Sequence, residues 1–387
     1  MCRTGATTFQ FMPRDRSVGS EFRAGVSLHS HTMYSEESLG TISHYMAKAP
    51  YLNRAIRFEG AEFEQEGGQP DFRHAFWTPP LSPRQACQLE ERQIQTQFQL
   101  PGLVSITDHD DIRAGALLQV LDRFRNAPIS TEWTMPFGTT FFHLGVHNIP
   151  RRDATAVMSE LCRFTSNPRE EKYAGILGML RSFPDTLLVL NHPLMDEKGL
   201  GAIQHEQVLG RLLSCHGRSF DALEVNGLRS WQENKRVVEL AKRSGIPVIS
   251  GGDRHGLEPN AILNLTRATT LVEFIHEVRY RGLSHVVFMS QYRWPIKLRL
   301  LRTIIDILRD YPKSFEGRRT WSDRVFMHDP KDAVPLPFSS IWGDAGPGGL
   351  KHVIGPVRLL GRADALLFSR LHERRHVEYA RSGWATD

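Results

Sequence analysis

Short apolar runs alternate with amphipathic stretches along most of this chain of 387 residues. Seven runs have the apolar character of buried strands: 25–30, 102–107, 140–146, 186–191, 221–226, 246–250 and 284–289. Between them, apolar residues recur at helical spacing over 82–98, 111–124, 153–164, 170–182, 233–244 and 270–281. Strand and helix in alternation predict βα units, a mostly parallel sheet, and a barrel rather than a small open sheet. "GLEPNAIL" reads as a turn ahead of another helix, and residues 296–310, "IKLRLLRTIIDILRD", as a strong amphipathic helix. From about residue 313 the pattern breaks. "DPKDAVPLPFSSIWGDAGPGG" is rich in proline and glycine and reads as linker or irregular wrap. It leads to "ADALLFSRLHERRHVEYARS", a basic helix suited to the outside of a domain.

The expected organisation is an α/β domain over 22–290, interrupted by an insertion at 38–80 and followed by a helical or irregular extension at 291–387. Phe72, Phe76, Trp77 and several basic residues of the insertion suit a lid over a site as well as a cover for the core. No internal repeat is present.

Composition narrows the class. Hydrophobic residues make up 40% and charged residues 24%, which suits a globular protein with a real core. The formal charge of +5 allows an anionic substrate without demanding one. "NPREEKY", "RYRG" and "KLRLLR" do not make a clear basic groove, so no stable nucleic-acid partner is expected. Cys2, Cys87, Cys162 and Cys215 form no CxxC pair, which points to a reducing compartment. "MCRTGATTFQFMPRDR" lacks the apolar core of a signal peptide, and no window of about 18 apolar residues suggests a transmembrane helix. A cytoplasmic location is expected.

The candidate chemistry lies where predicted strands end. "SLHSHTMYSEES" sets His29 and His31 two apart, a spacing that puts both on one face of a strand, with Glu36 or Glu37 arriving from the next turn. "GLVSITDHDDI" runs a strand into Asp108 and His109, and "DTLLVLNHP" runs one into Asn191 and His192. "GIPVISGGDRHG" leads to Asp253 and His255, "FDALEVNG" ends in Glu224 and Asn226, and "TTFFHLGVHN" places His143 on or beside a strand. The carboxyl ends of barrel strands share one face, so residues scattered in sequence gather there. Each motif alone has a plain explanation as a turn, a helix cap or a satisfied histidine; their recurrence at the same end of the strands points to a metal site. Imidazoles and carboxylates without thiolates suit Zn, Mn or Fe(II). Six histidines with Glu36, Glu132 and Asp253 are too many donors for one ion and suit two to three. Such a pocket stays cationic and favours a phosphate ester.

Four motifs in order, "HSHTMYSEE", "TDHDD", "NHP" and "GGDRH", resemble those of the polymerase-and-histidinol-phosphatase (PHP) superfamily over about residues 25–290. The resemblance implies a distorted (β/α)7 TIM-like barrel, a trinuclear centre and hydrolysis of a phosphate ester by a metal-bridging hydroxide. It makes His29, His31, Glu36, His109, Glu132, His143, His192, Asp253 and His255 metal ligands, with Asp108 in support. Asp253 also stands as proton acceptor for the bridging water, with His192 beside it as a catalytic residue, and Asn226 and Arg254 as substrate contacts. Ser27 stands where the family often has Asp, and Glu36 where it usually has Asp. The expected substrate is a phosphorylated small molecule, a nucleotide or a short oligonucleotide end. The alternatives are a metal-dependent amide or ester hydrolase and a PHP-fold binding module that has lost activity. A redox metalloenzyme lacks a supporting cysteine cluster.

Overall fold

The structure, a computed structural model, describes residues 7–11, 21–39, 75–312, 318–327, 334–344 and 355. Most of the insertion, Phe72 included, and the basic helix expected near the C-terminus lie outside the described residues. The chain divides into two compact units, one of 1–37 with 78–296 and one of 38–77 with 297–387.

The first unit holds two five-stranded sheets. In one, β1 (Thr7–Phe11), β12 (Ser284–Phe288), β11 (Ile262–Thr266), β2 (Ala24–Leu28) and β5 (Gly102–Ser105) lie side by side in that order. In the other the order is β10 (Val248–Gly251), β9 (Ala222–Asn226), β8 (Leu187–Asn191), β7 (Thr140–Ile149) and β6 (Ile129–Phe137). Isolated bridges Ser30–Arg254 and His109–Glu132 link residues just beyond β2 and β5 to residues of the second sheet's edges. No continuous ladder closes a barrel among the described residues.

The sheets are mixed rather than mostly parallel, contrary to the sequence expectation. β1–β12, β2–β5, β8–β9 and β9–β10 pair parallel. β6–β7 and β7–β8 pair antiparallel, and β11 runs against both β12 and β2. For β6 and β7 the reason is local. Only Gly138 and Thr139 separate them, and a two-residue link can join only antiparallel strands. Gly138 supplies the positive φ, 58°, that this turn requires. β11 occupies the segment beginning within "GLEPNAIL", which the sequence reading gave to a turn before a helix.

Strand alternation divides two environments. Leu188, Leu190, Leu223, Val225, Leu144 and Val146 join the large apolar cluster under the helices Ala154–Ser166, Tyr173–Arg181, Ala202–His216 and Trp231–Ser244. Their strand neighbours Leu187, Val189 and Ala222 pack instead with Val26 and Leu28 of β2 in the other sheet and with Ile249 of β10. The next inward positions along β8 and β9 are Asn191, Glu224 and Asn226, where the apolar floor gives way to polar groups. β2, β8, β9 and β11 are buried throughout, as expected of strands covered on both faces.

Helix ends follow their sequence signals. Ser82 caps Pro83–Phe98 in a reciprocal pair with Gln85, and Thr270 caps Leu271–Arg281 in the same way with Glu273. Ser230 caps Trp231–Ser244, which ends at Gly245 in left-handed conformation. In the second unit β14 (Leu336–Pro337), β13 (Val325–Met327) and β4 (Phe76–Trp77) form a small antiparallel sheet, and the two-residue strand β3 (Glu37–Ser38) falls at the boundary between the units in sequence. Trp77, Ile307, Trp321, Val325 and Phe338 make this unit's core, so the insertion and the C-terminal segment share one apolar cluster. No helix among the described residues is long and apolar enough to cross a membrane.

Candidate metal centre

Glu132 is the hub. It sits on β6, fully buried, opposite Gly145 of β7. Its Oε2 lies 2.9 Å from His29 Nε2, 3.3 Å from His31 Nε2 and 3.5 Å from His109 Nδ1. Its Oε1 lies 3.2 Å from His192 Nε2 and 3.4 Å from His143 Nδ1, and accepts a hydrogen bond from Asn191 Nδ2 at 2.9 Å. A second carboxylate, Glu37, faces His109 Nε2 at 3.4 Å and His255 Nε2 at 3.3 Å. A third, Asp253, places Oδ1 at 3.4 Å from His31 Nε2 and 3.6 Å from His29 Nε2. The structure thus gathers His29, His31, His109, Glu132, His143, His192, Asp253 and His255.

Glu36 does not join them. Its side chain is exposed, and Glu37 occupies the place expected of it. The reason lies in the tight turn Thr32–Ser35, in which the Ser35 amide donates to Thr32 O. Ser35 Oγ then donates to Glu37 Oε1 at 2.6 Å and directs that side chain inward.

His29 and His31 do not share a regular strand face either. β2 ends at Leu28, and His29 has φ 63°. Ser27 bonds to Glu90 of the helix Pro83–Phe98, so simple alternation would send His29 to that same side. The left-handed backbone brings it back to Glu132. His192 (φ 25°) and Asp253 (φ 56°) show the same device just beyond β8 and near the end of β10. Non-glycine residues held there cost of order 1–3 kcal/mol each and persist where surroundings over-determine them. Here His29 O accepts from Asp253 N at 2.7 Å, and Glu224 Oε2 accepts from His192 N at 2.8 Å.

Outer partners aim the imidazoles. His29 Nδ1 is 2.5 Å from Glu224 Oε1, His255 Nδ1 is 2.9 Å from Asp253 O, and His31 Nδ1 is 3.1 Å from Ser35 Oγ. With Nδ1 held as donor by these oxygens, each ring turns Nε2 toward the carboxylates. This is how metal-binding histidines are oriented. Gly251 makes room for the arrangement: a Cβ there would sit 1.5 Å from Glu224 Oε1.

Two proposed substrate contacts are consumed inside the fold. Arg254 is buried and donates to Glu90 Oε1 at 3.0 Å, Gly256 O at 2.9 Å and His31 O at 3.1 Å. Asn226 is buried and donates through Nδ2 to Glu224 and Asp253, while its Oδ1 accepts from Leu228 N. Both are hydrogen-bonded to segments that carry residues of the cluster. Asp108 accepts from Thr32 N at 2.6 Å and Thr32 Oγ1 at 2.7 Å, a supporting position.

Electrostatics mark the cluster as unbalanced. Burial works against the charged forms of Glu37, Glu132 and Asp253, yet the surrounding imidazoles hold all three well below their ordinary values. Burial also lowers His29, His109, His143 and His255, but the carboxylates outweigh it and raise all four. His31 goes the other way, to about 3, through burial and the neighbouring His255. Burial pushes Asp108 up to about 7. Buried carboxylates need a positive partner, either protons on the histidines or cations between them. Two observations favour cations. His31 Nε2 and His143 Nδ1 are buried with no hydrogen-bond partner among the described residues, though each lies within 3.5 Å of a carboxylate oxygen. Five overlapping sets of donor atoms also converge closely enough to hold an ion: His31–Glu37–His109–His255, His29–His31–Glu132, His29–His192–Asp253, His109–Glu132–His143 and His143–His192–Glu197. The residues present fit divalent metal ions.

Sequence reasoning missed several participants. Glu224 stood at a strand end but had no assigned role. Asn191 stands at the end of its strand in "DTLLVLNHP" without an assigned role, yet its amide donates to Glu132 Oε1. His147 lies below the site, beside Ser105 Oγ at 2.8 Å, its pKa lowered to about 3 by burial. Glu197 lies in the loop after His192, where no periodic pattern marks it.

No family model matches the chain, and no curated protein matches it. Solved structures with some likeness include an amidohydrolase from Chromobacterium violaceum, at 14% identity and TM-score 0.36, covering 59% of this chain and 87% of that one. Another, described as a candidate metal-dependent phosphoesterase from Bifidobacterium adolescentis, has 13% identity and TM-score 0.35, covering 67% and 96%. At these values neither likeness bears on the chemistry.

Proposed function

We propose that this chain is a metal-dependent hydrolase of phosphate esters, acting on a small phosphomonoester, a nucleotide or a short oligonucleotide end, with its two facing sheets forming a distorted (β/α)7 barrel. The observation that carries the reading is the convergence of six histidines and three buried carboxylates, Glu37, Glu132 and Asp253, with Nε2 of His29, His31 and His255 aimed inward. Two or three divalent ions of the Mn, Fe or Zn kind, when bound, supply an acidified water and positive charge for the reacting phosphoryl group. His29, His31 and Asp253 surround one end of Glu132; His143 and His192 surround the other; His109, His255 and Glu37 form a separate lobe.

Asp253 Oδ1, 3.4 Å from His31 Nε2 and 3.6 Å from His29 Nε2, would take the proton of the attacking water. The imidazoles keep this carboxylate ionised against the pull of burial. His192 Nε2, 3.2 Å from Glu132, fixes the facing side of the pocket. Arg229 Nη2, 3.9 Å from Asp253 Oδ2, brings a positive charge to the rim, where Asn226 and Arg254 bring none.

A specific observation keeps a second reading in view. Glu197 and Glu224 add two carboxylates to Glu37, Glu132 and Asp253. Five negative charges nearly neutralise three divalent ions, so the centre also suits an uncharged amide or ester. A product assay on the manganese-loaded protein separates the two. Inorganic phosphate released from phosphomonoesters and nucleotides, and lost in Asp253→Asn by about a hundredfold or more, is the expected result. Release of amine or alcohol from amide and carboxylate-ester substrates, with no phosphate from any ester, would replace the first reading by the second. Metal bound with no turnover of either class would favour the binding module.

A further inference from the structure

We infer that Glu197 is a metal ligand, which with His143 and His192 forms a third cation position at the rim of the centre, next to Oε1 of Glu132. The inference rests on the reading of the cluster as a metal centre and adds a residue that none of the four sequence motifs contains.

The histidine nitrogens argue for it. His109 faces Glu37 through Nε2 and Glu132 through Nδ1, and one imidazole ordinarily serves one ion through one nitrogen. If His109 serves the lobe of Glu37 and His255, it does not serve the position beside His143. His29 and His31 are committed by their Nδ1 contacts to the Oε2 side of Glu132. The Oε1 side is then left with His143 Nδ1 and His192 Nε2. Two imidazoles leave a metal position short of the four or more donors it ordinarily takes. Glu197 Oε1, 3.3 Å from His143 Nδ1, supplies another. Its ligand atom lies within 4.8 Å of those of His143 and His192.

An independent observation points the same way. His143 is buried, and its Nδ1 faces Glu132 and Glu197 at 3.4 and 3.3 Å without hydrogen-bond geometry to either. A lone pair aimed between two carboxylates suits a cation lying between them. The local structure also positions Glu197. Asp196, the preceding residue, accepts from Leu200 N at 3.0 Å and Gly201 N at 2.7 Å, closing the loop on itself. Lys198 lies over the Phe141 ring at 5.7 Å, and Phe141 stacks on His143 at 5.4 Å. The side chain between these anchors is about one-fifth exposed, the most open of the donors facing Glu132 or His143. Two carboxylates and two imidazoles make an oxygen-rich position, suited to Mn or Fe(II) at least as well as to Zn.

The test is manganese binding to the chelator-stripped full-length protein, followed by elemental analysis and by the Mn²⁺ electron paramagnetic resonance signal. Wild type is expected to bind about three ions. Glu197→Gln and Glu197→Ala are expected to hold two tightly and the third on the order of a hundredfold more weakly. His143→Ala should lose the same ion, and the double variant no more than that. Metal-free unfolding curves of the Glu197 variants should overlay wild type. If both Glu197 variants bind as wild type does, the inference is overturned and the rest of the centre stands. If wild type itself binds no manganese, the metal reading falls and this inference with it.

Discussion

His29 shows how single residues make this site. Its backbone turns left-handed, its Nδ1 meets Glu224, and its Nε2 meets Glu132. Glu224 can lie there only because residue 251 has no side chain. Gly251→Ala is therefore expected to displace Glu224, cost about 1–3 kcal/mol through overpacking, and weaken manganese binding roughly tenfold to a hundredfold. Isothermal titration with parallel denaturant curves checks both, and an alanine variant with wild-type affinity would remove Glu224 from the centre. Arg254 yields a different expectation. It is one half of a buried pair with Glu90, whose carboxyl is raised by burial against the pull of this guanidinium. Arg254→Met should cost about 3–5 kcal/mol by stranding Glu90, and Arg254→Met with Glu90→Leu should recover much of it. Urea denaturation measures this; unchanged stability with a raised KM alone would restore Arg254 to the substrate. Glu36 and Glu37 mark the limit of residue-scale legibility. Adjacent acids are equivalent in sequence, and only the turn at Thr32–Ser35 selects the second. Manganese affinity should fall in Glu37→Gln and stay unchanged in Glu36→Gln.

Elements place these residues, and most of them were legible. The strands ending near His29, His109, His192 and Asp253 announced themselves as apolar runs flowing into polar clusters. The helix Trp231–Ser244 carried both its caps in sequence. Ser230→Ala should cost about 1 kcal/mol and leave metal affinity unchanged, a contrast with Gly251→Ala that separates support of a helix from support of the site. β11 was hidden by "GLEPNAIL", whose turn residues mask the apolar run "ILNLT" that follows. β6 was hidden because Pro136 and polar Ser130, Thr131, Glu132 and Thr134 dilute its apolar pattern. Its outward Trp133, Met135 and Phe137 serve the core while Glu132 serves the site. Strand direction was misjudged for a related reason: alternation of elements carries no information about which connection is a tight hairpin. Glu197 had no pattern to reveal it, since loop residues join a site through long-range contacts alone.

At the scale of the molecule, the cluster ties stability to pH and to metal. Without metal, His29, His109, His143 and His255 have raised values, so their contribution is complete below the ordinary value of 6.5 and is lost as pH rises through the raised ones. His31 and His147, lowered to about 3, contribute above 6.5 and lose that contribution as pH falls below it. Glu37, Glu132 and Asp253 contribute above their ordinary values of 4.5 and 3.8 and lose it as pH falls through the lowered ones. The metal-free protein should thus lose stability as pH climbs above 6.5. Metal binding needs neutral imidazoles and tightens over the same interval. Melting temperatures with saturating manganese and with chelator should diverge as pH rises above 6.5 by about two units; parallel curves would mean that ions do not displace protons from these histidines.

The most direct measurement is the metal content of the purified full-length protein, counted by elemental analysis before and after manganese reconstitution, beside Glu132→Gln. About two to three ions per chain in wild type, with marked loss in Glu132→Gln, is the expected result. A folded wild-type protein that holds no ion after reconstitution would contradict the metal centre and leave the buried histidines and carboxylates as a proton-balanced network.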